Sequence, residues 1–146
     1  MEILKYEPFY KDDCVKIFES NMPKFFATEE RQLFIDFLDN DIEGNYYVVK
    51  KDGEIVACGG IFLDKRDNEA GLSWGMVHAG HHKKGIGKIF TEYRIVRLKE
   101  VYPDHTWKVD TSQHTAGFYL KRGFKTIEVI PDGFAKGLDK YVMKLE

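Results

Sequence analysis

The stretch His82-Lys83-Lys84-Gly85-Ile86-Gly87-Lys88 joins two segments of different period. An apolar, strand-like run (72–77) precedes it, and an amphipathic helical pattern, Ile86–Val101, begins within it. A strand that turns through a glycine-containing loop into a helix commits the chain to a βαβ unit. The next extended segment, 106–111, must then return parallel to the first by a right-handed crossover. The same loop is an anion site in outline. The first N–H groups of a helix lack an intrahelical partner, and the macrodipole places about half a positive charge beside them. Glycine lets a phosphate approach that backbone closely, and the lysines and His82 add attraction. Alone, the loop admits two readings: a cradle for a phosphate or pyrophosphate, or a turn with a solvated basic face.

The rest of the chain narrows the choice. Its 146 residues suit one domain, 1–146, with a real core, and 43% hydrophobic against 32% charged residues is a globular balance. A net charge of −2 argues against a nucleic-acid-coating protein and favours a small anionic ligand at the local basic cluster. Cys14 and Cys58 show no disulfide spacing, which fits a reducing compartment, and Cys58 lies in the apolar run 55–58 as a core residue. The N-terminus lacks a basic-then-apolar leader pattern, and no apolar run approaches membrane-spanning length. A cytoplasmic protein with no membrane or nucleic-acid partner is expected, as monomer or homodimer.

Along the chain the expected order is β-α-α-β-β-β-α-β-α-β-β. Residues 2–7 read as a strand. Residues 11–20 read as a helix with Cys14, Ile17 and Phe18 on one face. Met22-Pro23-Lys24-Phe25-Phe26 breaks that pattern, Thr28 is placed as the N-cap of a second helix, and this helix ends near Asp41. The period then shortens. Strands are expected at 46–49 and 55–63, joined by an Asp52-Gly53 hairpin turn, and at 69–77 and 106–111. Ser112 is expected to cap a helix running through Arg122 to Gly123, and strands 124–130 and 138–145 close the sheet, with a link beginning at Pro131. Antiparallel strands leading into a βαβ unit give an α+β fold in α/β/α layers. Its central sheet is mixed, mostly antiparallel, of about seven strands with flanking helices.

Two motifs within this order resemble the GNAT superfamily of N-acetyltransferases. That family carries a Q/R-x-x-G-x-G/A loop, here His82-Lys83-Lys84-Gly85-Ile86-Gly87. It also carries a segment ending in Tyr followed by a Gly-Phe pair, here Phe118-Tyr119-Leu120-Lys121-Arg122-Gly123-Phe124. The resemblance covers the chain in element order and implies a GNAT-like acyl-CoA fold. It further implies acetyl-CoA as co-substrate, no metal, and backbone N–H groups of Lys84, Gly85, Ile86, Gly87 and Lys88 on the pyrophosphate, with Lys83 beside them. The pantetheine arm would pair with Met76, Val77 and His78 as an added strand, between strands 69–77 and 106–111 splayed apart; Gly75 marks a bulge that helps this. Ser112 and Phe118 would flank the same arm. The chain departs from the pattern at His82, where Gln or Arg is usual, and at Ser112, where Asn is frequent.

Acyl transfer to an amine needs a neutral nucleophile, a donor to the oxyanion and a proton for the leaving thiolate. By the resemblance, Tyr119 is the general acid and the Val77 N–H the oxyanion donor. The base stays open among His78, His114, Glu69, Asp110 and Glu30; His78 combines a position at the strand end with a suitable intrinsic pKa. Phe25, Phe26, Trp74, Tyr46 and Phe134 are candidates to line an acceptor pocket. The expected activity is acetyl transfer to the primary amine of a small molecule. The competing readings are acetylation of a protein lysine or N-terminus, a non-catalytic coenzyme A-binding module, and a nucleotide- or nucleic-acid-binding domain using the basic loop.

Overall fold

A computed structural model describes residues 1–146. Its strands are β1 (Glu2–Lys5), β2 (Tyr46–Lys51), β3 (Glu54–Asp64), β4 (Glu69–Val77), β5 (Thr106–Thr111), β6 (Phe124–Ala135) and β7 (Leu138–Leu145). The helices are α1 (Lys11–Ser20), α2 (Glu30–Asn40), α3 (Ile86–Val101) and the short α4 (Ala116–Leu120). The strands form one sheet in the order β1-β2-β3-β4-β5-β7-β6. Only β4 and β5 run parallel, joined by α3, as the strand–loop–helix pattern requires.

Strand alternation sends successive side chains to opposite faces of the sheet. Val48 and Cys58 join Cys14, Ile17, Phe18, Phe34 and Leu38 under α1 and α2. Tyr47, Val49 and Ala57 turn the other way, onto Ile86 and Phe90 of α3. A further cluster packs Leu72, Val109 and Met143 against Leu98, Tyr119 and Phe124. Phe18 and Phe34 are fully buried and stack at 5.4 Å; burial of such a ring contributes about 1.5–3 kcal/mol.

Four boundaries differ from the sequence expectation. The first strand stops at Lys5, because Pro8 opens a 3-10 turn, Pro8–Tyr10. Thr28 does not cap α2 with its side chain; instead Glu30 Oε1 accepts from the Ala27 N–H at 3.0 Å, so the acidic residue satisfies the orphan donor. Ser112 caps a turn rather than a helix: its Oγ accepts from the His114 N–H at 3.2 Å, and α4 spans only five residues beginning at Ala116. The closing strand β6 continues through Pro131 to Ala135, which an edge strand tolerates, and the reversal comes at Gly137 with φ +81°.

Candidate functional site

The site begins where the sheet opens. β4 and β5 are paired only over 69–71 and 106–108, and beyond Gly71 the strands part. Against β3, two residues of β4, Trp74 and Gly75, oppose the single Gly59, and Trp74 takes φ +39°. This is a β-bulge at the glycine that marked it in the sequence. A cavity of about 810 Å³ fills the gap, running from α2 to the first turn of α3.

Separated strands leave backbone groups to be satisfied. The Ser73 carbonyl accepts from Arg94 Nη2 at 3.3 Å, and the Trp74 carbonyl from the Tyr46 hydroxyl at 2.7 Å. The Val77 carbonyl accepts from Asn21 Nδ2 at 2.9 Å and from His82 Nε2 at 2.8 Å, so Nε2 carries the His82 proton. The His78 N–H donates to the Val56 carbonyl at 2.8 Å, and antiparallel alternation therefore turns the Val77 N–H away from β3, toward the gap. No protein acceptor meets it there.

At the far end, Lys83 (φ +63°) and Gly85 (φ +82°) wind the loop into α3. No side chain caps the helix at Gly85, and the N–H groups of Gly85, Ile86, Gly87 and Lys88 meet no acceptor in the protein. A Cβ on Gly85 would meet nothing within 4 Å, so the loop is open on that side. The residues present thus fit a pyrophosphate.

A family model described as an acetyltransferase (GNAT) domain matches residues 43–126 of this sequence, more than half of it and spanning both the loop and the tyrosine motif. The chain belongs to the GNAT acetyltransferase family. Its whole fold is shared with solved structures. A Desulfovibrio desulfuricans protein described as an acetyltransferase of the GNAT family superposes with a TM-score of 0.79 at 18% identity, over 99% of this chain and 98% of its own. An aminoglycoside 6'-N-acetyltransferase complexed with coenzyme A gives 0.76 at 15% identity, over 99% and 96%. The ribosomal-protein-S18-alanine N-acetyltransferase from Escherichia coli gives 0.75 at 17% identity, over 99% and 92%. No curated protein matches the sequence at a significant level.

Within this GNAT fold, Tyr119 lines the cavity with 9% of its surface exposed. Phe118 and Phe124 hold its ring edge-on at 5.2 and 5.6 Å, and its hydroxyl makes no hydrogen bond within the protein. Met76, Val77, His82, Lys83, Gly87, Ser112 and Phe118 share the lining. The Ile86 side chain belongs to the core beneath α3, leaving only its N–H for a ligand, and Lys84 and Lys88 are exposed outside the lining.

His78 does not reach the cavity. Its Nδ1 accepts from the Gly80 N–H at 3.0 Å, and the ring faces His81 rather than the gap. His114 packs edge-on against Phe25 at 6.0 Å, outside the lining. Glu69 lies at the closed end of the β4–β5 pair, bound to Lys144 at 2.8 Å. Asp110 lines the cavity but pairs with Lys140 at 3.6 Å. Glu30 is the buried carboxylate of the lining, with 7% exposed, and burial raises its pKa above the ordinary value against the opposing pull of the Ala27 N–H.

Of the expected acceptor aromatics, Phe25, Phe26, Trp74 and Phe134 line the cavity; Tyr46 is spent on the Trp74 carbonyl beneath it. Cys58 is wholly buried beside Cys14, whose thiol its hydrogen bond and burial hold protonated. Asn21 and Arg94 were not among the expected site residues. Asn21 left no pattern, being a helix C-cap. Arg94 left one: a charge four residues after Phe90 and four before Leu98, within an apolar stripe.

Proposed function

We propose that the protein, acting as one domain, transfers an acetyl group from acetyl-CoA to the primary amine of a small molecule. One observation carries this reading: a single cavity is lined by Lys83 and Gly87 of the uncapped start of α3, by Val77 with its free N–H, and by Tyr119 with its unbonded hydroxyl. The amides of Gly85, Ile86, Gly87 and Lys88 hold the pyrophosphate, and the gap beside Val77 receives the pantetheine arm as a strand. The amine nitrogen attacks the thioester carbonyl carbon, forming C–N. The Val77 N–H donates to the oxygen that becomes negative, and as C–S breaks the Tyr119 hydroxyl protonates the departing thiolate.

The amine must first lose a proton, since its ordinary pKa is about 10.4. Glu30 suits that step better than His78: it lies in the cavity, is buried, and has its pKa raised by that burial. A small cationic acceptor is favoured over a peptide by the enclosing aromatic walls of Phe25, Phe26, Phe37 and Trp74, with Glu30, Asp41 and Glu43 among them.

The test is free-thiol release from acetyl-CoA across a panel of small amines and short peptides, with Tyr119→Phe as control. Release with amines, strongly reduced in Tyr119→Phe, is expected. Coenzyme A binding with no release from any acceptor would make the protein a binding module; release with peptides alone would move the acceptor to proteins.

A further inference from the structure

Arg94 heads the fully buried side chains by volume, with 2% of its surface exposed. Buried arginines are almost always paired, because a desolvated charge without a counter-charge is costly. This one has no counter-charge. It takes part in none of the protein's ion pairs. Glu30, Asp41, Glu43 and Asp110 line the same cavity without reaching it.

What holds Arg94 is backbone. Nε donates to the Gly60 carbonyl and Nη2 to the Ser73 carbonyl, both at 3.3 Å, long for charged donors. Its guanidinium carbon stands 5.3 Å from the centre of the Phe90 ring. Two glycines make room for it: a Cβ on Gly59 would stand 2.9 Å from its Cζ, and one on Gly75 2.4 Å from its Nη1. Nη1 itself has no protein partner, and Arg94 is part of the cavity wall. The chain has cleared a slot in two strands for a cation and left its Nη1 without a protein acceptor.

The free Nη1 edge is too far from the start of α3 to meet the same phosphate. Arg94 lies nine residues beyond Gly85 on α3, about 13–14 Å along the axis. It sits instead at the bulge, two residues from Val77, where the reaction would occur. A planar guanidinium edge there matches a carboxylate. Resting on the acyl-transfer reading above, we propose that Arg94 binds a carboxylate at the reacting end of the cavity and so sets specificity. That carboxylate is carried by the transferred acyl group or by the acceptor amine.

Two matched pairs separate the sources: succinyl-CoA against acetyl-CoA as donors, and phenylalanine against phenethylamine as acceptors. All four combinations are assayed by thiol release with the wild-type protein, Arg94→Met and Arg94→Lys. In one pair the wild type is expected to favour the carboxylate-bearing member by about 100-fold in kcat/KM. Arg94→Met brings that ratio near one. A preference in the donor pair assigns the acyl group, and one in the acceptor pair the amine. No preference in either pair, or a preference that survives Arg94→Met, overturns the proposal and makes Arg94 a strut for the bulge. If no combination turns over, the acyl-transfer reading fails on its own. Thermal shifts then decide for Arg94: larger stabilisation by succinyl-CoA than acetyl-CoA, or by phenylalanine than phenethylamine, supports it, and equal shifts overturn it. The same melts settle the matter if Arg94→Met does not fold.

Discussion

Gly75→Ala tests whether the slot around Arg94 is as tight as its geometry states. Gly75 has no positive φ, so alanine meets no backbone strain there; the whole effect comes from the added methyl. That methyl would stand 2.4, 2.6 and 2.8 Å from Nη1, Nη2 and Cζ of Arg94, about 1 Å inside ordinary contact. A surface arginine would swing aside at negligible cost. This one is pinned by the Gly60 and Ser73 carbonyls, with Gly59 and Phe90 close around the guanidinium. Overpacking of this kind costs about 1–3 kcal/mol, which for a chain of this size lowers Tm by roughly 2–12 °C. In an Arg94→Ala background the obstacle is gone, and Gly75→Ala becomes neutral or slightly stabilising by restricting the unfolded chain. Urea unfolding of the four proteins in this cycle should give a coupling of about 1–3 kcal/mol. If Gly75→Ala costs the same in both backgrounds, within about 0.5 kcal/mol, the glycine does not exist for the arginine and the slot argument is wrong.

Three further outcomes follow from the site. Tyr119→Phe should lower kcat by about 10²–10⁴-fold while leaving the melting temperature unchanged, because the hydroxyl has no protein partner to lose; thiol-release kinetics and a thermal melt check both halves. Gly85→Ala, at φ +82° with open space around the new methyl, should cost about 1–2 kcal/mol of backbone strain and raise KM for acetyl-CoA severalfold with little change in kcat. Glu30→Gln keeps an acceptor for the Ala27 N–H but removes the buried charge. Because the folded-state pKa of Glu30 lies above its unfolded value, the native protein holds a proton the unfolded chain releases. Stability therefore falls as pH rises through that window, and Glu30→Gln should be the more stable protein at neutral pH, with kcat reduced about 10²-fold or more if Glu30 is the base.

The elements readable from sequence are those whose period or chemistry is local. α3 occupies Ile86–Val101 and β4 ends at Val77, because the strand-to-helix switch is written in adjacent residues. The bulge at Gly75 and the turn at Gly85 were legible for the same reason: each needs a glycine at one place. Ser112 misled because a hydroxyl caps a turn as well as a helix, and Gly117 weakens the helix that follows. His78 misled because position at a strand end does not say where a ring turns; the Gly80 N–H, two residues on, claims its Nδ1. The burial of Glu30 depends on α2 packing across the cavity, which no residue pattern near Glu30 records.

The side chains around β4 follow one rule. Parting two parallel strands opens a binding gap but strands the carbonyls along its edge, and a stranded buried carbonyl costs about as much as a lost hydrogen bond. Here Arg94, Tyr46, Asn21 and His82 reach in from four different segments to donate to Ser73, Trp74 and Val77. Acceptors are thereby satisfied while the Val77 N–H, a donor, is left facing the gap, so the site is poised for groups that accept. His82, standing where Gln or Arg is usual, is engaged with the Val77 carbonyl and fixes the strand end. The same rule separates Arg94 from the other three. Asn21 and Tyr46 bring neutral donors and His82 a single ring N–H, enough to satisfy a carbonyl. A buried guanidinium is more than that task needs, and the excess charge is what points to a ligand.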